Sequence, residues 1–195
     1  MARLTRAQQQ RLTHERLLEA GREVFLRRGF LPATVEEIAA GAGYTRGAVY
    51  KHFGGKEGLW LAIVADRADA HLRALDDALG RASSREELLA ALAPAGPPDE
   101  EAARWSAATA EVLAAVAGQP AVAEAVAEAQ HRHDERFAEL LARHCDRLGV
   151  RPALPAPALV VALGALGTGL ALRRAVDPGA DVGAITGGVL DALLA

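Results

Sequence analysis

The 195-residue chain has one cysteine and no apolar stretch long enough to cross a bilayer. Cys145 alone cannot form an intramolecular disulfide or a cysteine-based zinc cluster, and it suits a reducing cytosol. The longest apolar stretch, 159–172, has fourteen residues, and three of them are glycine. Because a helix needs about 20 residues to span a bilayer, we expect a buried helix here and no membrane partner. No apolar run follows the basic residues of 1–18, so we expect no signal peptide.

Strand patterns and catalytic motifs are missing as well. Apolar and polar residues do not alternate as they do in an exposed strand, and no repeat of fixed period occurs. There is no serine-hydrolase, metalloprotease, phosphate-loop or dinucleotide-binding motif, so the sequence indicates neither an enzyme with catalytic residues nor a cofactor. Alanine and leucine exceed the β-branched residues, which favours helix.

Glycine, proline and capping residues divide the chain into nine helical stretches, which predicts an all-α fold. Ser83 and Glu86 form a predicted capping box. PAGPP at 94–98 is interpreted as a linker, with Asp99 as the cap of the helix that follows. The predicted helices cover 5–28, 35–42, 45–52, 56–79, 83–92, 100–117, 120–148, 159–174 and 181–194.

Charge is unevenly distributed along the chain. Residues 1–58 hold ten Arg and Lys against six Asp and Glu, a net +4. Residues 59–195 hold twelve against nineteen, a net −7. This asymmetry indicates that only the first part meets a polyanion, although a solvated basic face would look similar. We place a domain boundary there, with one domain over 1–58 and a second over 59–195.

The stretch 41–59, GAGYTRGAVYKHFGGKEGL, gathers glycines, aromatic rings and cations. Before it, Thr34 with Glu37 forms a capping box for the short helix over 35–42. Gly43 marks a turn, and Thr45 can cap the helix over 45–52. Two short helices joined by such a turn match a helix-turn-helix, whose second helix enters the major groove of DNA.

The second helix of this pair has the residue types that DNA recognition requires. Gly47 and Ala48 are small enough to let the backbone approach the duplex, and the Arg46 guanidinium can pair with guanine. Phe53 is interpreted as a core residue. Other side chains can reach phosphates or thymine methyl groups, or lie at helix N-termini that favour phosphate. The first group is Tyr44, Tyr50, Lys51 and His52, and the second is Thr34 and Lys56.

Residues 12–62 together resemble the DNA-binding domain of the tetracycline-repressor (TetR) family of bacterial transcription regulators. The matching pieces are TVEEIA at 34–39 and GAVYKHF at 47–53, followed by the Lys-Glu pair at 56–57. Tyr44 stands where many members carry a smaller aliphatic residue. It is therefore either a DNA contact particular to this chain or a turn residue that packs on the first helix.

The resemblance implies a cytoplasmic homodimer that binds double-stranded DNA at a palindromic, inverted-repeat operator. It further implies a repressor released by a small-molecule effector that binds in the C-terminal domain, which also dimerises through the last two long helices. An activator, or a dimer controlled by a protein partner or by no ligand, is the alternative. On the family pattern the DNA contacts are Thr34, Tyr44, Thr45, Arg46, Gly47, Ala48, Tyr50, Lys51, His52 and Lys56.

The apolar segment 159–172 is a candidate dimer interface. It is apolar nearly all round, and each of its three glycines costs about 1 kcal/mol relative to Ala in a helix, which indicates close packing. The neighbour is either a helix of a second subunit or one of the same chain, and we favour the first. The predicted interface residues are Leu159, Leu163, Leu166, Leu170, Ile185, Val189 and Leu193.

A ligand site in the second domain is predicted from its aromatic and apolar residues, which favour an apolar ligand with few polar anchors. Each of these residues is also an ordinary core candidate. His131 and His133 point to different helix faces, so we expect no metal site. We expect Cys145 to be an inert buried thiol. The candidate ligand residues are Trp60, Trp105, Thr109, Val112, Val116, His131, Phe137, Leu141 and Leu166.

Overall fold

The computed structural model describes residues 5–93, 100–116 and 118–195. Nine α-helices lie within those ranges, which contain no strand other than an isolated bridge between Pro152 and Leu194. The all-α prediction is confirmed, while the predicted linker at 94–98 and its cap Asp99 lie outside the described residues. The helices are α1 (Arg6–Arg28), α2 (Val35–Gly41), α3 (Arg46–Phe53), α4 (Lys56–Arg81), α5 (Arg85–Leu92), α6 (Glu100–Val116), α7 (Pro120–Leu148), α8 (Ala156–Val176) and α9 (Val182–Leu193).

The predicted capping box of α2 is only half formed. The Glu37 N–H donates to the Thr34 hydroxyl at 3.2 Å, as predicted. The Glu37 carboxylate does not return to Thr34, because it accepts from Arg27 at 2.9 Å and from Arg28 at 3.1 Å. Charge-assisted bonds to two guanidinium groups are stronger than one bond to a neutral backbone N–H. They also tie the end of α1 to the start of α2.

The cap of α5 lies one residue later than predicted. Ser84, not Ser83, accepts from the Glu87 N–H, at 3.2 Å. The Glu87 carboxylate accepts in return from the N–H of Ser83 at 2.7 Å. Both adjacent serines fit the sequence pattern, because each is followed three positions later by a glutamate. Only the structure shows that Ser84 and Glu87 form the cap.

The chain divides into two compact units. Unit 1 comprises Met1–Arg67 and Ala107–Val126, and unit 2 comprises Ala68–Ser106 and Ala127–Ala195. The domain boundary after residue 58 stays a prediction.

Unit 1 has a core that fixes α1, α2 and α3. Leu17 of α1, Ile38 of α2 and Val49 of α3 are fully buried. Beside them Trp60 meets the rings of Phe25 and Phe30 edge-on, with centroid distances of 5.2 and 5.6 Å. Edge-to-face rings at this separation add specific contact to the burial of their area.

The core of unit 2 consists of leucines from five helices. Leu79 of α4, Leu88 of α5, Leu141 of α7, Leu159 of α8 and Leu190 of α9 are all fully buried. Burying such a side chain contributes roughly 1.5–3 kcal/mol, so these leucines hold the unit together.

Helix α8 is more exposed than the sequence predicts. It extends beyond 159–172 to 21 residues, and 11% of its most apolar 18-residue window is buried within the chain. By length and composition alone it is long and apolar enough to cross a membrane, although the fourteen-residue stretch predicted from the sequence is too short. Only its first turns, with Leu159 and Val160, enter the core. The prediction of a helix buried on several sides is therefore wrong for the single chain. The sequence could not show which side is exposed, because an evenly apolar helix has no polar face.

Candidate nucleic-acid interface

The turn between α2 and α3 has the geometry that its glycine predicts. Gly43 has φ of 74°, a left-handed conformation that other residues rarely adopt. The N–H of the next residue, Tyr44, donates to the Ala39 carbonyl at 2.8 Å, and this bond closes the end of α2. Tyr44 itself is half-buried in this turn. The chain then enters α3 at an angle set by the turn.

Helix α3 places its recognition candidates on one exposed face. Arg46, Gly47, Tyr50 and Lys51 are exposed, whereas Val49 is buried. An added Cβ at Gly47 would meet nothing nearer than 3.7 Å, so the chain itself does not require glycine there. Residues on this face can therefore approach an external surface closely.

Thr45 occupies the N-cap position of α3, but its side chain makes no capping hydrogen bond. The predicted cap is corrected in this respect. The Ala48 N–H donates instead to the Thr45 carbonyl at 2.9 Å, so a backbone carbonyl takes the place of the Thr45 hydroxyl as its acceptor.

The Arg46 guanidinium already has partners within the chain. It pairs with the Glu36 carboxylate of α2 at 3.0 Å and donates to the Tyr50 hydroxyl at 3.2 Å. Its Cζ also lies 5.1 Å from the centroid of the Tyr50 ring. The Tyr50 contact, and secondarily Glu36, raise the pKa of Arg46 above its ordinary value. Arg46 must release or share Glu36 before it can pair with a base.

The Lys56 ammonium holds the connection between α1 and α2. Its Nζ donates to the carbonyls of Phe30 at 3.0 Å, Leu31 at 3.3 Å and Ala33 at 3.1 Å. It also lies 4.4 Å from the centroid of the Phe30 ring. An ammonium has three donors, so all of them are used. The phosphate contact predicted for Lys56 stays a prediction and would require one of these bonds to open.

Glu111 of α6 holds the same connection, which sequence reasoning missed. Its Oε2 accepts from the Leu31 N–H at 2.9 Å. Its carboxylate also fills the space where Gly29 lacks a side chain, since an added Cβ would lie 2.6 Å from Oε1. Residues 29–33 are therefore clamped between Lys56 on the carbonyl side and Glu111 on the N–H side.

The end of α3 is covered by a histidine from α1. His14 stacks on Phe53 with a centroid distance of 4.6 Å, and its ring lies 5.9 Å from that of His52. Phe53 is half-buried under His14, so the prediction of a core residue is corrected. Burial first, then the positive charge of His14 and Lys51, lowers the pKa of His52.

Comparisons with known proteins relate this geometry to a family. Residues 17–63 match the family model of bacterial regulatory proteins, tetR family. Over 95% of its length, the chain superposes on all of a protein from Rhodococcus sp. described as a TetR-family transcriptional regulator, with a TM-score of 0.76 at 20% identity. Residues 17–63 therefore resemble the TetR family, and the chain as a whole shares the fold of the Rhodococcus protein.

Curated relatives match the same N-terminal part of the chain. SrpR from Pseudomonas putida is 46% identical over 67 residues, which are 34% of this chain and 31% of SrpR. TtgR, also from Pseudomonas putida, is 37% identical over 87 residues, 45% of this chain and 39% of TtgR. The chain thus spans about a third to a half of the length of the curated relatives it matches. Both are named transcriptional regulators, not enzymes, in agreement with the sequence analysis.

The nine candidate ligand residues fall in both units. Trp60, Thr109, Val112 and Val116 belong to unit 1, and the other five belong to unit 2. A charged groove of about 350 Å³ between α4 and α7 in unit 2, lined by residues such as Arg73 and Arg143, contains none of the nine. The assignment of a ligand to these residues stays a prediction.

Among the described residues, possible metal ligands and the single cysteine, Cys145, are the candidates for metal and thiol chemistry. No group of three His, Cys, Asp or Glu side chains there could hold a metal ion. Burial raises the pKa of the Cys145 thiol, which is 1% exposed. A buried thiol with a raised pKa forms little thiolate and is a poor nucleophile.

Proposed function

We propose that this chain is a cytoplasmic, DNA-binding transcriptional regulator of the TetR family that inserts α3 into the major groove. The observation that supports this most directly is the exposed face of Arg46, Gly47, Tyr50 and Lys51, opposite the buried Val49. A guanidinium can read guanine, a lysine can neutralise phosphate, and a glycine allows close approach. Thr34, Thr45, Tyr44 and His52 flank this face in the sequence and are proposed as additional contacts.

We infer that the regulator is a homodimer that pairs through α8 and α9. Val161 is 58% exposed, Val176 80% and Ile185 46% in the single chain. An added Cβ at Gly164, Gly167 or Gly169 would meet nothing within 4 Å, so packing within the chain does not account for these glycines. Exposed apolar residues on two helices that contact each other are typical of an interaction site.

The predicted interface residues contribute unequally to this proposal. Leu159 is fully buried in unit 2, so it faces the core of its own chain and is withdrawn from the interface. Leu163 and Leu193 pack against that core but keep some exposed surface. The half-buried Leu166, Leu170 and Val189 and the exposed Ile185 remain in the proposed interface.

A symmetric dimer explains the proposed operator. Two recognition helices about 34–36 Å apart fit successive major grooves on one face of DNA, and their two-fold symmetry requires an inverted repeat.

We propose further that the dimer is a repressor released by a small, mainly apolar ligand. Trp60, Trp105, Val112, Val116 and Leu141, five of the candidate ligand residues, are buried and apolar or aromatic. Proteins of the same fold have been solved with choline, from Saccharomonospora viridis, and with stearoyl-CoA, from Bacillus subtilis. A ligand acts as a switch only through different affinities for the DNA-binding and the released state.

Selection of bound sequences from a random DNA duplex pool tests the proposal. The full chain is expected to enrich inverted repeats, and Arg46→Ala to relax sequence preference at a guanine position by about 1–3 kcal/mol. Arg16→Ala, an exposed arginine outside the interface, is the matched control. Failure to enrich any sequence would refute the DNA-binding proposal. Compounds are then screened for release of the selected site, and absence of release by any apolar compound would favour control by a protein partner or by no ligand.

A further inference from the structure

A shallow cleft lies between the first half of α1 and the end of α3 in unit 1. It has a volume of about 590 Å³. Its α1 wall is formed by Gln10, Arg11, His14 and Glu15, and its α3 wall by Lys51 and His52. None of the α1 residues belongs to the predicted DNA contacts, so the family pattern did not point to this wall.

The lining of the cleft has more basic than acidic side chains. Arg11 and Lys51 are exposed, and neither makes an ion pair among the described residues. Glu15, also exposed, is the single carboxylate in the lining. The lining thus contains one guanidinium, one ammonium, two imidazoles and one carboxylate.

The two imidazoles are positioned by packing. His14 is fixed by its stack on Phe53, and its ring centroid lies 5.9 Å from that of His52. Burial, the His14 ring and the Lys51 charge together lower the pKa of His52 below the ordinary value of 6.5. Each of these effects disfavours the imidazolium form of His52. An anion entering the cleft would reverse that balance.

We propose that this cleft binds a backbone phosphate of the DNA held by α3, and that His52 takes up a proton as the phosphate enters. The proposal rests on the proposed DNA binding. Lys51 belongs to both the exposed α3 face and the cleft, so DNA docked on that face lies next to the cleft. A phosphodiester stays a monoanion near neutral pH, so the proton is taken up by the His52 imidazole.

Proton uptake makes DNA affinity depend on pH. The DNA-bound state holds more protons than the free state in the range between the free and the bound pKa of His52. Binding therefore strengthens as the pH falls through that range, by the same linkage that relates pKa shifts to stability. The charged groups that line the cleft beside the two histidines are Arg11, Glu15 and Lys51.

Fluorescence anisotropy with the selected operator duplex, at constant ionic strength from pH 8.0 to 6.0, tests the proposal. The full chain is expected to bind about threefold to tenfold more tightly at pH 6.0. His52→Gln should flatten this dependence, whereas His71→Gln, outside the cleft, should retain it. Circular dichroism at each pH verifies that every variant is folded.

Salt dependence provides a second measurement that does not involve protonation. Arg11→Gln should reduce the slope of log K against log salt by about 1, and Arg16→Gln, on another face of α1, should leave it unchanged. If His52→Gln keeps the full pH dependence and Arg11→Gln keeps the full slope, the proposal is wrong, even though Arg46→Ala still relaxes sequence preference.

Discussion

At the scale of single residues, two glycines near α3 differ in what surrounds them. A Cβ at Gly58 would lie 1.8 Å from the Phe53 carbonyl oxygen, whereas at Gly47 the nearest atom would be 3.7 Å away. We expect Gly58→Ala to lower the free energy of unfolding by about 2–4 kcal/mol, because backbone atoms must separate. Gly47→Ala should raise it by up to about 1 kcal/mol through helix propensity, yet weaken operator binding. Urea denaturation and anisotropy measure the two effects, and equal destabilisation by both variants would contradict this division.

Glu36 is expected to limit nonspecific DNA binding. Its carboxylate pairs with the Arg46 guanidinium at 3.0 Å, so a DNA phosphate must compete with Glu36 for Arg46. A bidentate contact with guanine is strong enough to offset the loss of the Glu36–Arg46 pair. Glu36→Gln should therefore raise affinity for a scrambled duplex more than for the operator and narrow the ratio between them. Anisotropy with both duplexes measures that ratio. Glu19→Gln removes an exposed carboxylate on α1 and controls for the change in net charge. If Glu36→Gln leaves the ratio of operator to scrambled-duplex affinity unchanged, Glu36 does not limit nonspecific binding.

At the scale of elements, the clamp on the α1–α2 connection depends on Lys56. Lys56→Met keeps the length of the side chain but leaves three carbonyls without their donor. We expect a loss of about 1–3 kcal/mol in the free energy of unfolding. Urea denaturation measures it, and an unchanged midpoint would show that the clamp does not stabilise the fold. The salt slope of DNA binding then tests the predicted phosphate contact separately, since loss of such a contact lowers the slope by about 1.

Helices α4 and α7 are joined in unit 2 by an ion pair that responds to pH. The hydrogen bond from His144 Nε2, at 2.8 Å, and then the charge of Arg143 lower the pKa of the Asp76 carboxyl. The resulting stabilisation is present above the pKa of the unfolded carboxyl, near 3.8, and is lost as the pH falls through the lower folded value. Asp76→Asn should thus be less stable than the original chain at pH 7 and approach it in acid. Thermal unfolding at both pH values measures this, with the exposed Asp77→Asn as control, and a constant difference would contradict it.

Local spacing explains which of these elements the sequence could predict. Gly43, Gly54 and the caps near Thr34 determine α2 and α3 within a residue or two, because their partners lie three or four positions away. The contact of Glu111 with Leu31 joins residues 80 positions apart, and such an acid resembles an ordinary surface residue in the sequence. The face of α8 that enters the core was equally hidden, because an evenly apolar helix carries no periodic signal.

At the scale of the whole molecule, α8 is where one chain is expected to meet another. Val161 is 58% exposed on this helix, so a glutamate there costs a single chain little. In a dimer the same carboxylate would be buried against its symmetry mate, which is strongly unfavourable. We expect Val161→Glu to halve the mass measured by sedimentation equilibrium, to one chain of 20.4 kDa.

The same variant links assembly to DNA recognition. A monomer can occupy only one half-site, so Val161→Glu should lose most of its affinity for the inverted repeat and bind a single half-site as weakly as the original chain does. Leu113→Glu, at a residue 50% exposed on α6 in unit 1, is the matched control and should remain dimeric. A dimeric Val161→Glu would move the interface away from this part of α8, and a monomeric original chain would exclude the dimer altogether. Because two-fold symmetry is what requires an inverted repeat, either result would also change the operator expected from the selection experiment.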